Sequence, residues 1–589
     1  MQQRTHPDPQ VRSDPSSNRI GTRRWALTLG GVIAVGALVP WLIARNYGAL
    51  GVARGDDWSY LRTLFTWVDS GRLDFNHWVS MTLLGQLTLA RPIAMARPDD
   101  IAAVQTLTTV FGAIALTAIT AMGRIAGRSL QIGALLALCV AALPFWGALT
   151  TNFMTDVPAC ACSMTALAVA MYAFRHDTVS MPRVYAALAI GVLGFTIREY
   201  AAIPVAAIAC TTMALLHRHG RRREFVRLVA VTAAIVVGAC AFLVYWRTIP
   251  NPKALDPHVP TGKALLNVIY KCSGMPRIVG LALWPLLLIR GPRRIVERAR
   301  AANPDATFFF TLGALAWFSY TAVVAPRVAF AGNYFVPDGL LGRDVSAGVR
   351  PDVVPMPVFA LLIALGTAGA ILIMLAALPT LSTWRRKPRR DRWTPSDPVA
   401  ALCCVTLLGY TAIYVVAAAT GLPLYDRYVL PAVAVVGCAL LCGTAQEPLP
   451  HGAQSLTPSR PTRRVALSAW MTLVALTALG TIYTLDSASF DAARWHAATQ
   501  AVAAGWAPSA VGGNFEWVNT YSSTPGSFAR RRARVCVAVI VGAKPSADPH
   551  DVYGHTTYRP PFHDPIPVLA LRTPLPCPTP VPHSGEQQR

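Results

Sequence analysis

Residues 25–61 read WALTLGGVIAVGALVPWLIARNYGALGVARGDDWSYL, and the change of character within this stretch decides the class of fold. Residues 25–44 carry no charged side chain and have about the length that crosses a ~30 Å hydrocarbon layer as a helix. Arg54-Gly55-Asp56-Asp57-Trp58-Ser59-Tyr60-Leu61 follows. Two adjacent carboxylates are too costly to leave in hydrocarbon, so this pair belongs at a membrane edge, just past a first span.

The composition agrees. Of 589 residues 53% are hydrophobic and only 14% charged, with mean hydropathy +0.41. A water-facing globular surface needs more charge than that, so the chain reads as an all-α polytopic membrane protein. Its formal net charge of +24 does not point to nucleic acid, because the basic residues sit in short clusters between apolar runs, as the positive-inside rule requires. The twelve cysteines form no CxxC pair and no ligand spacing with histidine, so no metal site is expected from them. Most lie in apolar runs as small hydrophobes. Cys536 and Cys577 alone share a polar region, either as a disulfide or as two thiols.

Taken in order, residues 1–24 are a polar, proline- and arginine-containing stretch, expected as a disordered cytoplasmic tail. Thirteen spans are expected, at 25–44, 101–123, 130–149, 158–174, 184–197, 200–216, 228–246, 278–289, 308–324, 358–378, 399–419, 429–442 and 465–485. Between the first two, in an outer loop at 45–100, Trp58, Leu61, Leu64, Phe65 and Val68 recur at helical spacing and 77–90 forms a second apolar segment. Two interfacial helices fit, since a hairpin of spans would bury Arg62, Asp69, Arg72 and Asp74. The strongest basic clusters, Arg218 to Arg223, Arg290 to Arg298, Arg385 to Arg392 and Arg460 to Arg464, then all fall on one side. That puts the amino terminus in the cytoplasm and the carboxyl terminus outside. Residues 486–589 are more polar and proline-rich. A helical pattern at 490–504 and strand-like runs at 535–541 and 567–571 predict a small α/β domain there, beside a membrane domain at 25–485.

Four polar signals face the same side on this topology. Asp56 and Asp57 precede an amphipathic helix, and the plain reading is an N-cap. Asp156, in Thr151-Asn152-Phe153-Met154-Thr155-Asp156-Val157-Pro158, invites the same reading at another outer loop. Ile197-Arg198-Glu199-Tyr200 places an arginine where a span is short. Its guanidinium fork suits a phosphate, unless Glu199 is simply its counter-ion. Tyr425-Asp426-Arg427-Tyr428-Val429-Leu430-Pro431 adds Arg427, as an interfacial anchor or a second phosphate contact. Acids and arginines at successive loops of one face are what a catalytic site needs.

The order of these motifs resembles the GT-C membrane glycosyltransferases, and within them glycosyltransferase family 39, which includes protein O-mannosyltransferases and lipid A aminoarabinose transferases. Those relatives commonly read Asp-Glu where this chain has Asp56-Asp57; the resemblance sets Asp56 on the usual Asp and leaves open which of the two is the base. It implies inverting transfer of a sugar from a polyprenyl-phosphate donor to an acceptor hydroxyl (lipid, protein or glycan) on the outer face of a plasma or inner membrane. Asp56 or Asp57 would accept the hydroxyl proton, and Arg198 with Arg427 would meet the phosphate. Asp156 would position sugar or acceptor, or hold a divalent cation. Tyr60, Glu199 and Tyr428 complete the expected binding set. The competing reading is a transporter or flippase, which would place its ionisable groups near the bilayer midplane.

Overall fold

The structure, a computed structural model, describes residues 15–127, 129–175, 178–253, 262–342, 347–386, 397–442, 463–521, 535–543 and 549–577. Within the first of these, helix Pro15–Ile33 begins well before the apolar run. Residues 15–24 are therefore helical where the sequence suggested a structureless tail, because a helix nucleated in the apolar run extends one bond at a time into its flank. Residues 1–14 lie outside the described residues.

Among the described residues, nine helices are long and apolar enough to cross a membrane, from Thr22–Asn46 to Arg463–Ala503. A tenth candidate is a bent pair: Val268–Ala282 and Trp284–Arg290 meet at 62°, where Pro285 in the first turn of the second piece interrupts the ladder. The thirteen expected spans all fall on helices, ten at these places and three on shorter helices. Three of the expected spans are the helices Leu130–Ala141, Met181–Ile197 and Leu430–Cys442. At 1.5 Å per residue they reach only about 18 to 25 Å. The last two abut the polar turns that hold Arg198 and Arg427, and both arginines are buried.

The enclosed centre of the bundle is helix Asp156–Ala173, with 83% of its span buried, whereas Arg222–Thr248 is 6% buried and turns Val226, Val236, Val237 and Val244 outward. With lipid outside, packing rests on close approach rather than on the hydrophobic effect. Gly280 shows this: a Cβ there would lie 2.3 Å from the backbone nitrogen of Ala370.

The two interfacial helices are Asp57–Ser70 and Leu84–Ala96. Arg62 and Asp74 are half-buried, and Asp69 and Arg72 exposed. The second helix starts later than its apolar pattern. Asn76 and His77 turn left-handed (φ 45° and 60°), and the Asn76 amide is committed to Ser59 and Thr63 at 2.9 to 3.0 Å, so the chain there is a tie between elements.

Helix Arg463–Ala503 runs unbroken for 41 residues, through the boundary expected at 485/486. It leads to a sheet of strands β1 (Ala347–Gly348), β2 (Val511–Gly512), β3 (Val537–Val541), β4 (Val552–Tyr558) and β5 (Ile566–Arg572). β5 is antiparallel to both β3 and β4, while β1 and β2 pair parallel with β3. β1 comes from the 325–355 connection, so the sheet is not made from 486–589 alone. Strand β3, buried at alternate positions, has its second edge covered by β1 and β2. Cys536, before β3, and Cys577, after β5, form a disulfide.

Candidate active site

Charged residues in an apolar chain gather where helices end, because there the backbone also needs partners. The site is built from five such places: the turn before helix Asp57–Ser70, the turn before helix Asp156–Ala173, the extended Arg198 between helix Met181–Ile197 and the 3-10 turn Glu199–Ala201, the 3-10 turn Asp426–Val429, and the 329–342 loop. Two buried groups fix the last of these. Arg277 donates to Ala329 O at 2.8 Å and to Thr321 Oγ1 at 2.7 Å. Asp426 accepts the amides of Tyr334 and Phe335 at 2.8 and 2.6 Å and that of Arg427 at 2.8 Å.

Arg427 is the hub. Its Nη2 donates to Asp56 Oδ2 at 3.1 Å, its Nη1 to Asn333 Oδ1 at 3.1 Å, and its Nε lies 3.7 Å from Asp156 Oδ2. The rings of Tyr334 and Tyr425 lie 5.0 Å from its guanidinium carbon. Arg198 reaches the same Asp156 oxygen at 2.9 Å and Thr155 Oγ1 at 2.7 Å, with the Tyr428 ring 4.5 Å from its guanidinium carbon. Thus Asp56, Asp156, Arg198, Arg427 and Tyr428 come together. Tyr60 joins them: it is fully buried, its hydroxyl lacks a hydrogen-bond partner, and burial holds its pKa well above the ordinary value. Glu199 does not join them. Arg198 pairs with Asp156 instead of its sequence neighbour, and Glu199, though it feels the Arg198 charge, makes no ion pair with the cluster and accepts a backbone hydrogen bond from Thr82. The extended backbone at Arg198 (φ −156°) turns successive side chains to opposite sides.

The adjacent acids have different environments. Asp57 is fully buried; it accepts the Arg54 amide with one oxygen, and Phe153 N at 3.1 Å and Gln105 Nε2 at 3.2 Å with the other. Burial pushes its carboxyl up to about 7, against the lowering pull of the Arg54 charge and of these donors. Asp56 keeps 26% of its side chain exposed, held by Arg427 and by Trp78 Nε1 at 3.0 Å. Neither Asp56 nor Asp156 uses its side chain to cap the helix it precedes or begins, so the N-cap reading of both fails.

The donor set does not suit a divalent cation. Asp156 lies between two guanidinium groups, and among the described residues no group of three or more His, Cys, Asp or Glu converges. A cation there would displace one of the arginines and meet the charge of the other.

Sequence reasoning missed Asn333, Tyr334, Trp78 and Gln105. Gln105 carried a usable signal, a polar amide early in an apolar span; the others are ordinary loop residues whose roles depend on tertiary contact.

No family model matches the chain, and no curated protein matches it. Solved structures do. ArnT from Cupriavidus metallidurans, bound to undecaprenyl phosphate, is 12% identical, with 93% of this chain and 98% of that one covered at TM-score 0.40. The Archaeoglobus fulgidus oligosaccharyltransferase in its apo form is 13% identical, with 80% and 58% covered at TM-score 0.38. Its complex with Zn and sulfate is 11% identical, with 86% and 58% covered at TM-score 0.33. Likeness at these scores carries no chemical conclusion.

Proposed function

We propose that this chain is a multi-pass membrane glycosyltransferase of the GT-C type, moving a sugar from a polyprenyl-phosphate donor to an acceptor hydroxyl on the extracytoplasmic face. The observation that carries the reading is a shared guanidinium. Arg427 lies 3.1 Å from Asp56 and 3.7 Å from Asp156, with Arg198 2.9 Å from the same Asp156 oxygen. Transfer from a lipid phosphate needs a base for the incoming hydroxyl and fixed cations for the departing phosphate, within reach of a bilayer. This cluster at the helix ends supplies both.

In this reading the acceptor hydroxyl gives its proton to Asp56, the acid with an open face. The acceptor oxygen bonds to the anomeric carbon from the side opposite the phosphate. The bond from that carbon to the phosphate oxygen breaks, and its electron pair stays on the lipid phosphate. Arg198 and Arg427 meet that growing charge in a water-poor setting. As the phosphate draws Arg427 towards it, the hold of Arg427 on Asp56 loosens and the carboxylate becomes a better base. Asp156 keeps both guanidinium groups oriented beforehand, Tyr60 offers its free hydroxyl to the donor, and Tyr428 flanks Arg198. Asp57 holds the turn. Residues 25–485 supply this membrane body, and 486–589 most of an outer domain.

The first test is mass spectrometry of lipids retained by the detergent-extracted protein, comparing the intact chain with Arg198→Ala. A polyprenyl-phosphate sugar held by the first and lost from the second supports the donor class and names the sugar. Its absence from both, with membranes enriched in such lipids, sinks the reading.

A further inference from the structure

The C-terminal region reaches into the turn that carries Asp56. Glu516, on the six-residue helix Phe515–Thr520, is fully buried and accepts the Gly55 amide at 3.0 Å, 461 positions away in sequence. Gly55 is left-handed (φ +64°), a conformation that leaves its amide outside any helix or strand ladder. The peptide before it is held in the same manner, the Arg54 amide donating to Asp57. Asp56 therefore projects from a turn whose two preceding amides each end on a buried carboxyl, one from the membrane body and one from the C-terminal region.

Three further contacts tie the same short helix to this place. The Phe515 ring lies 5.4 Å from Trp78 and 6.4 Å from Trp58, and Trp78 is the indole that donates to Asp56. Arg62 Nη1 donates to Asn519 O at 3.3 Å. The short helix is itself secured by Asn514, which caps it through the Trp517 amide, and by Trp517 Nε1 donating to Pro508 O at 3.1 Å. On its other side the turn borders a small cavity lined in part by Arg54, Asn152, Arg350 and Asp491, with Tyr334 packed close against Gly55. Burying a carboxyl is unfavourable unless it is well paired, and the nearest cation, Arg494 Nη2, lies 3.9 Å from the second Glu516 oxygen. A side chain needed only to fill space would be apolar here.

We propose that Glu516 is a positioning residue for Asp56, acting through the Gly55 amide, so that the C-terminal region is a working part of the acid centre. This rests on the transferase reading above. The experiment compares the full-length protein with Glu516→Gln, which keeps a carbonyl acceptor, with Glu516→Leu, which keeps bulk alone, and with Glu516→Asp, which keeps the charge but draws the acceptor back by one methylene. Three quantities are read: hydrogen exchange of the peptide containing Gly55, retained donor lipid, and transfer at saturating donor.

In Glu516→Leu the Gly55 peptide should exchange faster and transfer should fall roughly tenfold or more, while retained donor is unchanged; Glu516→Gln should stay within about threefold of wild type in all three. Unchanged exchange in Glu516→Leu overturns the proposal, as does faster exchange with undiminished transfer, or equal losses in Glu516→Gln and Glu516→Leu. If Glu516→Leu does not fold, Glu516→Asp decides: lowered transfer with donor retained upholds the positioning role, and full transfer overturns it. A wild-type chain that binds donor lipid but transfers nothing sinks the transferase reading, and the positioning role with it.

Discussion

At the residue scale the informative contrast is between two neighbours of one chemical type. Asp56 is part-exposed and shared with Arg427, while Asp57 is sealed among three donors. For Asp56→Asn we expect transfer to fall at least ~100-fold, because an amide cannot accept the acceptor proton, with donor retention little changed; full activity in this variant removes Asp56 from the base role. Asp57→Asn should act on stability instead. The folded carboxyl titrates near 7, raised by burial, whereas an unfolded one titrates near 3.9. Between these values the folded chain binds the extra proton, so stability falls as pH rises from about 4 to 7. Asp57→Asn should flatten that slope in thermal unfolding of the detergent-extracted protein. It should also lose about 1 to 3 kcal/mol at low pH, from a donor set against a donor. A slope identical to wild type would count against the buried titration. The acids and arginines themselves were legible in the sequence, since charge in an apolar chain demands an explanation. Their partners were not: Arg198 next to Glu199 reads as a local ion pair, and only the assembled bundle gives it Asp156.

At the element scale, apolar length is readable and helix termination less so. The long spans follow from runs of apolar residues, and Met181–Ile197 and Leu430–Cys442 end within a few residues of where the sequence put them, but Leu130–Ala141 stops well before the expected 149, at a turn that leads into helix Trp146–Thr150. Strands β3 and β5 lie where alternating or β-branched runs predict them. β4 escaped notice because His555, Thr556 and Thr557 break its apolar pattern, and β1 because two residues carry no periodicity. The Cys536–Cys577 bridge, spanning 41 positions, ties the two ends of the β3–β5 portion together. A closed loop of that length restricts the unfolded chain by about 3 to 4 kcal/mol. Cys577→Ser should therefore make the segment after residue 535 markedly more sensitive to limited proteolysis, while the membrane body resists as before. Equal resistance in both forms would show that the sheet needs no covalent support.

At the scale of the whole molecule the charge balance gives a direction. Lys and Arg outnumber Asp and Glu by 53 to 29, and described basic clusters such as Arg218 to Arg223 and Arg290 to Arg300 stand at the helix ends remote from the Asp56 cluster. If those ends face the cytoplasm, protease added to intact cells should remove an epitope fused after Arg589 and spare one fused before Met1. The reverse pattern would invert the topology and put the acid cluster on the wrong side for an extracytoplasmic donor. The unbroken helix Arg463–Ala503 bears on how such a machine moves. It is about 60 Å long at 1.5 Å per residue, and near its far end Trp495 Nε1 grips Ala53 O at 2.9 Å, just ahead of the Asp56 turn. A helix that runs unbroken from the bundle to a contact at that turn is a strut without a hinge. On the transferase reading, a region so braced does not swing like an arm to fetch cargo, and whatever receives the sugar travels to a stationary port.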